Sequence, residues 1–296
     1  MISKKQFLDT YNISEIELEE LNIDWIDLKA IHDDFVECRK SYETQADLIA
    51  NILRGHKKVH SVKTRVKDMK HLMEKVIRKT PDRRAKYGEN FKFTVENYKD
   101  EITDLLGIRV IHIFKEDWEE IHNFITNMWN VREIVANVRE GDTTKKFDEQ
   151  GIAVRSRPSG YRSVHYLIES YPTNKKLITE VQVRTIFEEG YGEIDHQLRY
   201  SHDYDIPDLL AQNLMLLNRI AGSSDEMASL INKLNQSFSE IEAKYNKKLK
   251  HKNDMLRDLR KKIYENDSLK QEERETIVND IDNVILGDRG KHLRRK

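Results

Sequence analysis

Glu180 stands at the head of a run, Glu180-Val181-Gln182-Val183-Arg184, in which polar and apolar side chains alternate. Alternation of period two puts Glu180, Gln182 and Arg184 on one face of a strand and the two valines on the other. Charges gathered on one face cost desolvation unless a ligand, a metal or a counter-charge satisfies them. A surface Glu–Arg pair is the bland alternative, and this block alone is compatible with it. A second block, RPSGYRSVHYLIES at 157–170, reads as a turn running into another alternating strand and carries Arg157, Tyr161, Arg162 and His165. A third, ITDLLGIRVIHIF at 102–114, sets Asp104 and Arg109 on either side of the glycine that opens an apolar strand. Two carboxylates at or near strand ends can hold Mg²⁺ against a nucleoside triphosphate, through hard oxygen ligands and retained water. Upstream, RVKDMKHLMEK at 65–75 sets Arg65, Lys67 and Lys75 near the start of a helical stretch. Exposed amides and fixed cations there favour a phosphate chain, the alternative being a solvated, lysine-rich helix.

In this order the four blocks resemble the synthetase domain of the RelA/SpoT family, over roughly residues 55–205. The likeness rests on R-V-K with a downstream lysine, D-x-x-G-I-R-V, S-G-Y-R-S-x-H and E-V-Q-V-R-T at compatible spacings. It implies an α+β fold, a mixed β-sheet flanked by helices and similar to nucleotidyltransferases. It also implies Mg²⁺-dependent transfer of pyrophosphate from ATP to the ribose 3′-hydroxyl of GDP or GTP, the reaction that makes ppGpp and pppGpp. By the same resemblance Asp104 is the metal ligand, while Glu180 helps hold the metal and draws the proton from the attacking hydroxyl. A ribose hydroxyl is a poor nucleophile near neutral pH, so a carboxylate within reach and a nearby cation suit the task. Arg65 and Arg109 match arginines that sandwich the adenine, a use of planar guanidinium that lysine serves poorly. Lys67 and Lys75 match phosphate contacts, joined by His71, which stands where the small synthetases of the family carry serine. Arg157, Tyr161, Arg162, His165, Gln182, Arg184 and Glu189 would line the acceptor side, with Arg162 or Arg184 alternatively a structural partner of the carboxylates.

Departures from the family pattern bear on the acceptor. The resemblance implies a guanine-stacking tyrosine about eight residues before the glycine of S-G-Y-R-S, where this chain has Ile152, leaving Phe147 or Tyr161 as substitutes. Glu189 stands where the small alarmone synthetases carry asparagine, in a stretch, FEEGYGEIDH, similar to toxic small synthetases that modify the 3′ end of tRNA. A tRNA or other nucleotide acceptor is therefore the second expectation. An inert nucleotide or RNA sensor is the third, and intact Asp104 and Glu180 argue against it.

Rigid elements must position these residues. Residues 1–55 read as helical, with a capping signal at Ser14-Glu15-Ile16-Glu17 and apolar residues including Trp25, Ile31 and Phe35 at helical spacing. Residues 56–205 alternate strand candidates (107–114, 131–139, 163–170, 177–184) with helices near 66–79, 116–129 and 186–200. The stretch 140–160, rich in turn formers and charge, reads as a mobile acceptor loop. From 206 onward a helical extension follows, with basic residues at 244–262 and in the terminal GDRGKHLRRK. That surface offers RNA binding, a solvated helical face or homo-oligomerisation, the solvated face being the favoured reading.

Composition bounds the rest. Charged residues make up 35% of the chain but the formal net charge is −1, which argues against a general nucleic-acid coat. Cys38 is the single cysteine, so no intramolecular disulfide forms and a reducing cytoplasm is the expected compartment. No signal-like or membrane-spanning apolar run is present, so no membrane partner is expected. The pairs His32-Asp33 and His202-Asp203 lack the length of chain that a hydrolase domain needs, so synthesis without hydrolysis is expected. His56 and His60 have zinc-like spacing but no third ligand. There is also no GxxxxGK[ST] or GxGxxG loop, so side chains must hold the nucleotide.

Overall fold

The computed structural model describes residues 3–172, 176–200, 207–266 and 268–293. His202-Asp203 and the last three residues of the basic tail lie outside them. By internal contacts the chain divides into two compact units, Met1–Ser229 and Leu230–Lys296.

The first unit opens with α1 (Lys4–Tyr11), α2 (Glu15–Glu20) and α3 (Trp25–Arg54). The sequence reads this region as helical; the structure adds the breaks. Ser3 and Gln6 form a reciprocal capping box on α1, Ser14 caps α2 and Asp24 caps α3. Asn12 and Asn22 turn the chain between them at positive φ, 53° and 47°, a conformation asparagine tolerates better than most residues. Leu28, Ile31, Phe35, Ile49 and Leu53 line the buried stripe of α3, which packs on the sheet at its first two strands.

After α3 come β1 (Ser61–Val66), α4 (Met69–Tyr87), α5 (Tyr98–Glu101), β2 (Leu106–His112), α6 (Asp117–Met128) and β3 (Asn130–Val138). Then follow α7 (Lys145–Asp148), β4 (Ala153–Ser156), β5 (Ser163–Ser170), β6 (Leu177–Thr185), α8 (Ile186–Tyr200), α9 (Asp208–Tyr264) and α10 (Gln271–Leu293). Among the described residues six strands form one mixed sheet in the order β1-β2-β6-β5-β3-β4. The β2–β6 and β3–β4 pairs are parallel and the others antiparallel. The expected α+β architecture is therefore present.

Two expectations need correcting. Arg65 and Lys67 do not begin a helix: Arg65 lies in the edge strand β1, Lys67 in the link after it, and α4 starts only at Met69. Asp68 enforces that start by accepting from the amides of Lys70 and His71, at 2.9 and 3.3 Å. The stretch 140–160 is not a bare loop either, because it contains α7 and β4. Phe147 and Ile152 are buried in the core, with Phe147 edge-on to Trp118. In the second unit, Val278, Ile281 and Ile285 of α10 are buried, and Arg260 pairs with Asp282 at 3.3 Å. No helix among the described residues is long and apolar enough to cross a membrane.

Candidate active site

Register explains how distant segments meet. Gly107 of β2 lies opposite Glu180 of β6, Arg109 opposite Gln182, and Gln182 opposite His165 of β5. On the other flank Arg65 faces Gly107 and Lys63 faces Arg109. Since side chains alternate, Lys63, Arg65, Arg109, His165, Glu180, Gln182 and Arg184 share one face of the sheet. The opposite face carries Ile108, Val110, Val164, Tyr166, Ile168, Val181 and Val183, all buried. Helix α8 brings Glu189, Glu193 and His196 over the polar face. The result is a cleft of about 430 Å³ whose walls include Arg65, Lys67, Asp104, Arg109, Glu180 and His196. Gly107 lies in its floor, where any side chain would project into it.

Asp104, just before β2, is reached by Lys67 at 2.9 Å and by Lys75 of α4 at 2.7 Å, both on Oδ2. The link after β1 arranges this, since the Lys67 amide donates to the carbonyl of Leu105 at 2.9 Å. Oδ1 is buried without a hydrogen-bond partner. Burial raises the Asp104 pKa, but the ammonium groups of Lys75 and Lys67 outweigh it and leave the carboxyl below its ordinary value. Burial drives the Lys67 ammonium the other way, below the usual lysine value, against the pull of Asp104.

Glu180 accepts from His165 Nδ1 at 3.1 Å on Oε1 and from Gln182 Nε2 at 2.8 Å on Oε2. Burial again raises its pKa; the hydrogen bonds from His165 and Gln182 overcome that, and the carboxyl is held below the usual glutamate value.

A second set of charges is internally satisfied. Glu189 takes Lys63 at 3.0 Å, Arg184 at 3.1 Å and Arg109 at 3.4 Å, and its pKa falls because these cations outweigh burial. Arg109 also pairs with Glu193. Arg184 is only 3% exposed and lies over the Tyr161 ring, its guanidinium carbon 5.1 Å from the centroid. Gly192 of α8 makes room for it, since a Cβ there would stand 2.8 Å from Nη1.

The structure thus gathers Arg65, Lys67, Lys75, Asp104, Arg109, His165, Glu180 and Gln182 around or beside one cleft. His71 is on α4, 3.5 Å from Asp68. Arg184 and Glu189 are buried in a mutual ion pair. Arg162 is bound to Asp142 at 2.5 and 3.0 Å and to Asn218 of α9 at 3.2 Å. Arg157 lies apart, donating to Asn137 at 2.6 Å, in a second cleft of about 500 Å³ shared with Arg139 and Arg219. Among the described residues no group of three or more His, Cys, Asp or Glu that could hold a metal ion is found.

Sequence reasoning passed over Lys63, Glu193, His196, Asn218 and Asp225. The first three had a signal: Lys63 continues the alternation of β1, and Glu193 and His196 recur on α8 at helical spacing after Glu189. Asn218 and Asp225 had none. Asn218 donates to the Gly160 carbonyl at 2.8 Å, and Asp225 accepts from the Thr185 hydroxyl at 2.8 Å.

Residues 64–205 match the family described as the region found in RelA/SpoT proteins. The GTP pyrophosphokinase YwaC of Bacillus subtilis (strain 168) is 27% identical over 181 residues, covering 60% of this chain and 75% of that one. The GTP pyrophosphokinase YjbM of the same strain is 23% identical over 200 residues, covering 66% and 81%. The crystal structure of small alarmone synthetase 1 from Bacillus subtilis superposes with a TM-score of 0.53 at 20% identity, covering 69% of this chain and 99% of that one. The same protein bound to its product pppGpp gives 0.51 at 21% identity, covering 67% and 94%. At these identities the superpositions establish the fold.

Proposed function

We propose that this chain, which belongs to the RelA/SpoT family, is a GTP pyrophosphokinase that moves a pyrophosphoryl group from ATP to the ribose 3′-hydroxyl of GDP or GTP. The observation that carries the reading is the convergence of Asp104, Glu180, Lys67 and Lys75 on one cleft, with Asp104 Oδ1 buried and unpartnered. An orphaned buried carboxylate oxygen is costly unless a ligand completes it. Asp104 and Glu180 fit Mg²⁺, which binds through one or two carboxylates and takes its remaining ligands from phosphates and water. When bound, the ion would supply charge stabilisation to the transferring group.

In this reading Lys67 and Lys75 neutralise the phosphate chain. The adenine sits between Arg65 and Arg109, a diagonal pair on neighbouring strands. Such pairs stand about 7–8 Å apart, roughly twice an atomic contact distance of about 3.5–4.0 Å, so a planar ring fits between them. Glu180 takes the proton of the 3′-hydroxyl as its oxygen attacks the β-phosphorus; the bond to the α-phosphate bridging oxygen breaks and AMP leaves. The acceptor approaches from the side of Tyr161 and His165, and the cleft of Arg139, Arg157 and Arg219 offers cations for its phosphates. The relatives named as GTP pyrophosphokinases lend no support to a tRNA acceptor or an inert sensor.

The test offers ATP labelled in its terminal phosphate, with Mg²⁺, to GDP, GTP and deacylated tRNA separately. Label should move to GDP or GTP with one AMP released per transfer. Asp104→Asn and Glu180→Gln should abolish it while the circular-dichroism spectrum is unchanged. Label released only as phosphate, or full transfer by either variant, would overturn the assignment.

A further inference from the structure

Arg184 sits behind the cleft, buried, yet its guanidinium controls what reaches the front. One nitrogen, Nη1, is fixed by Glu189 at 3.1 Å. The other, Nη2, donates to the Tyr161 hydroxyl oxygen at 2.7 Å and to Gln182 Oε1 at 2.5 Å. Arginine can only donate. The Tyr161 oxygen therefore accepts, and because His165 Nδ1 faces the acceptor-only Glu180 carboxylate, a neutral ring leaves Nε2 to accept the phenol's proton, 3.0 Å away. An accepting Nε2 puts the neutral ring's proton on Nδ1, which points at Glu180 Oε1 at 3.1 Å. The same logic fixes the Gln182 amide. With Oε1 facing Arg184, Nε2 must face Glu180 Oε2, as observed at 2.8 Å.

Two hydrogen-bond chains thus leave one guanidinium and converge on the two oxygens of one carboxylate. We infer that Arg184 is a positioning residue which, through Tyr161–His165 on one side and Gln182 on the other, sets the His165 tautomer and the orientation of Glu180. Each oxygen receives one donor and keeps lone-pair capacity for a reacting hydroxyl. The inference rests on Glu180 being the general base of the proposed reaction. It reassigns Tyr161, Gln182 and Arg184 from contacting the acceptor to aiming the base, and it explains why burying Arg184 is tolerated.

Tyr161→Phe tests it, because the ring that lies under Arg184 stays while the hydroxyl goes. With one donor chain cut, kcat should fall about ten- to hundred-fold, as for other supports of a reactive group. KM for ATP and acceptor should move less than about twofold, since no binding contact is removed. The ¹⁵N spectrum of the His165 imidazole, taken without substrates at the assay pH, should show the wild-type ring protonated on Nδ1 only and a loss of that preference in Tyr161→Phe. A wild-type ring carrying its proton on Nε2, or on both nitrogens, overturns the inference, as does an unchanged kcat in the variant. The wild-type spectrum needs neither a folded variant nor a working reaction. A failed Tyr161 chain is thereby told apart from a failure of the proposed activity.

Discussion

Asp225→Asn offers a test of how α9 supports the site, and its size follows from the burial of one carboxyl group. Asp225 is 1% exposed; Oδ2 accepts from the Thr185 hydroxyl and Oδ1 has no partner. Thr185 is the N-cap of α8, receiving the Glu188 amide at 3.1 Å while Glu188 returns a bond to the Thr185 amide at 2.8 Å. Burial, then the neighbouring Glu188 carboxylate, pushes the Asp225 pKa from 3.8 up to about 7, against the Thr185 bond and the charges of Lys115 and Arg162. Between those values the folded protein binds a proton that the unfolded chain does not, so this group's contribution to stability falls as pH rises through the window. At about 1.4 kcal/mol per pKa unit, the loss is at most about 4 kcal/mol once pH exceeds 7. Asparagine cannot ionise and escapes it. Thermal melts of both proteins at pH 5 and pH 8, at constant ionic strength, should differ by only about 2 kcal/mol at the lower pH, which lies roughly one unit into the window. At the higher pH the variant should lead by up to roughly 15 °C, given about 2–4 °C per kcal/mol for a unit of this size. A difference that does not grow with pH, or that favours aspartate at pH 8, refutes the reasoning.

Gly107→Val should abolish ATP binding, read by calorimetry, with no loss of melting temperature, because the added side chain fills the cleft floor in a strand that welcomes β-branched residues. Glu189→Gln strands the buried charge of Arg184 and should cost about 3 kcal/mol in urea unfolding at pH 7. Because the Glu189 pKa is lowered on folding, that stabilisation is present above the unfolded value of 4.5, and the gap to the variant should close as pH falls below it. A chain ended after Ser229 should keep pyrophosphate transfer, whereas one ended at residue 206 should lose transfer and melt lower, having lost Asn218 and Asp225. Equal activity in the two truncations would contradict this.

The polar face of β6 was legible because Glu180, Gln182 and Arg184 obey a period that local sterics impose. The apolar strands β2, β3 and β5 were legible for the same reason. β1 was not, since only Val62 of its six residues is buried and its lysine and arginine continue into a helical lysine pattern. β4 is a short, exposed edge strand inside a charged segment, so composition outweighed its weak alternation. Ile152, which stands where the family pattern has a stacking tyrosine, is 7% exposed and packed in the core, as is Phe147, and neither burial shows in the charged stretch around them. Arg184 and Glu189 were expected at the acceptor from the resemblance, and no strand or helix period shows which counter-charge a polar side chain will meet. That they pair with each other depends on how α8 folds back over the sheet.

The matched family region ends at residue 205, yet the support of the site does not. Asn218 and Asp225 are 2% and 1% exposed, and polar groups are not buried so completely without partners that offset their desolvation. Their partners are the Gly160 carbonyl and the Thr185 hydroxyl, one in the turn that delivers Tyr161 and the other in the cap that starts α8. Gly160, at φ 75°, has no room for a Cβ, which would lie 2.8 Å from Asn218. The turn is therefore shaped against α9, not merely covered by it. Tyr161 and Glu189 sit within four residues of these two anchors, and both feed Arg184. The chemistry is written in the sheet, but the turn that delivers Tyr161 and the cap that starts α8 are held from α9 through Asn218 and Asp225.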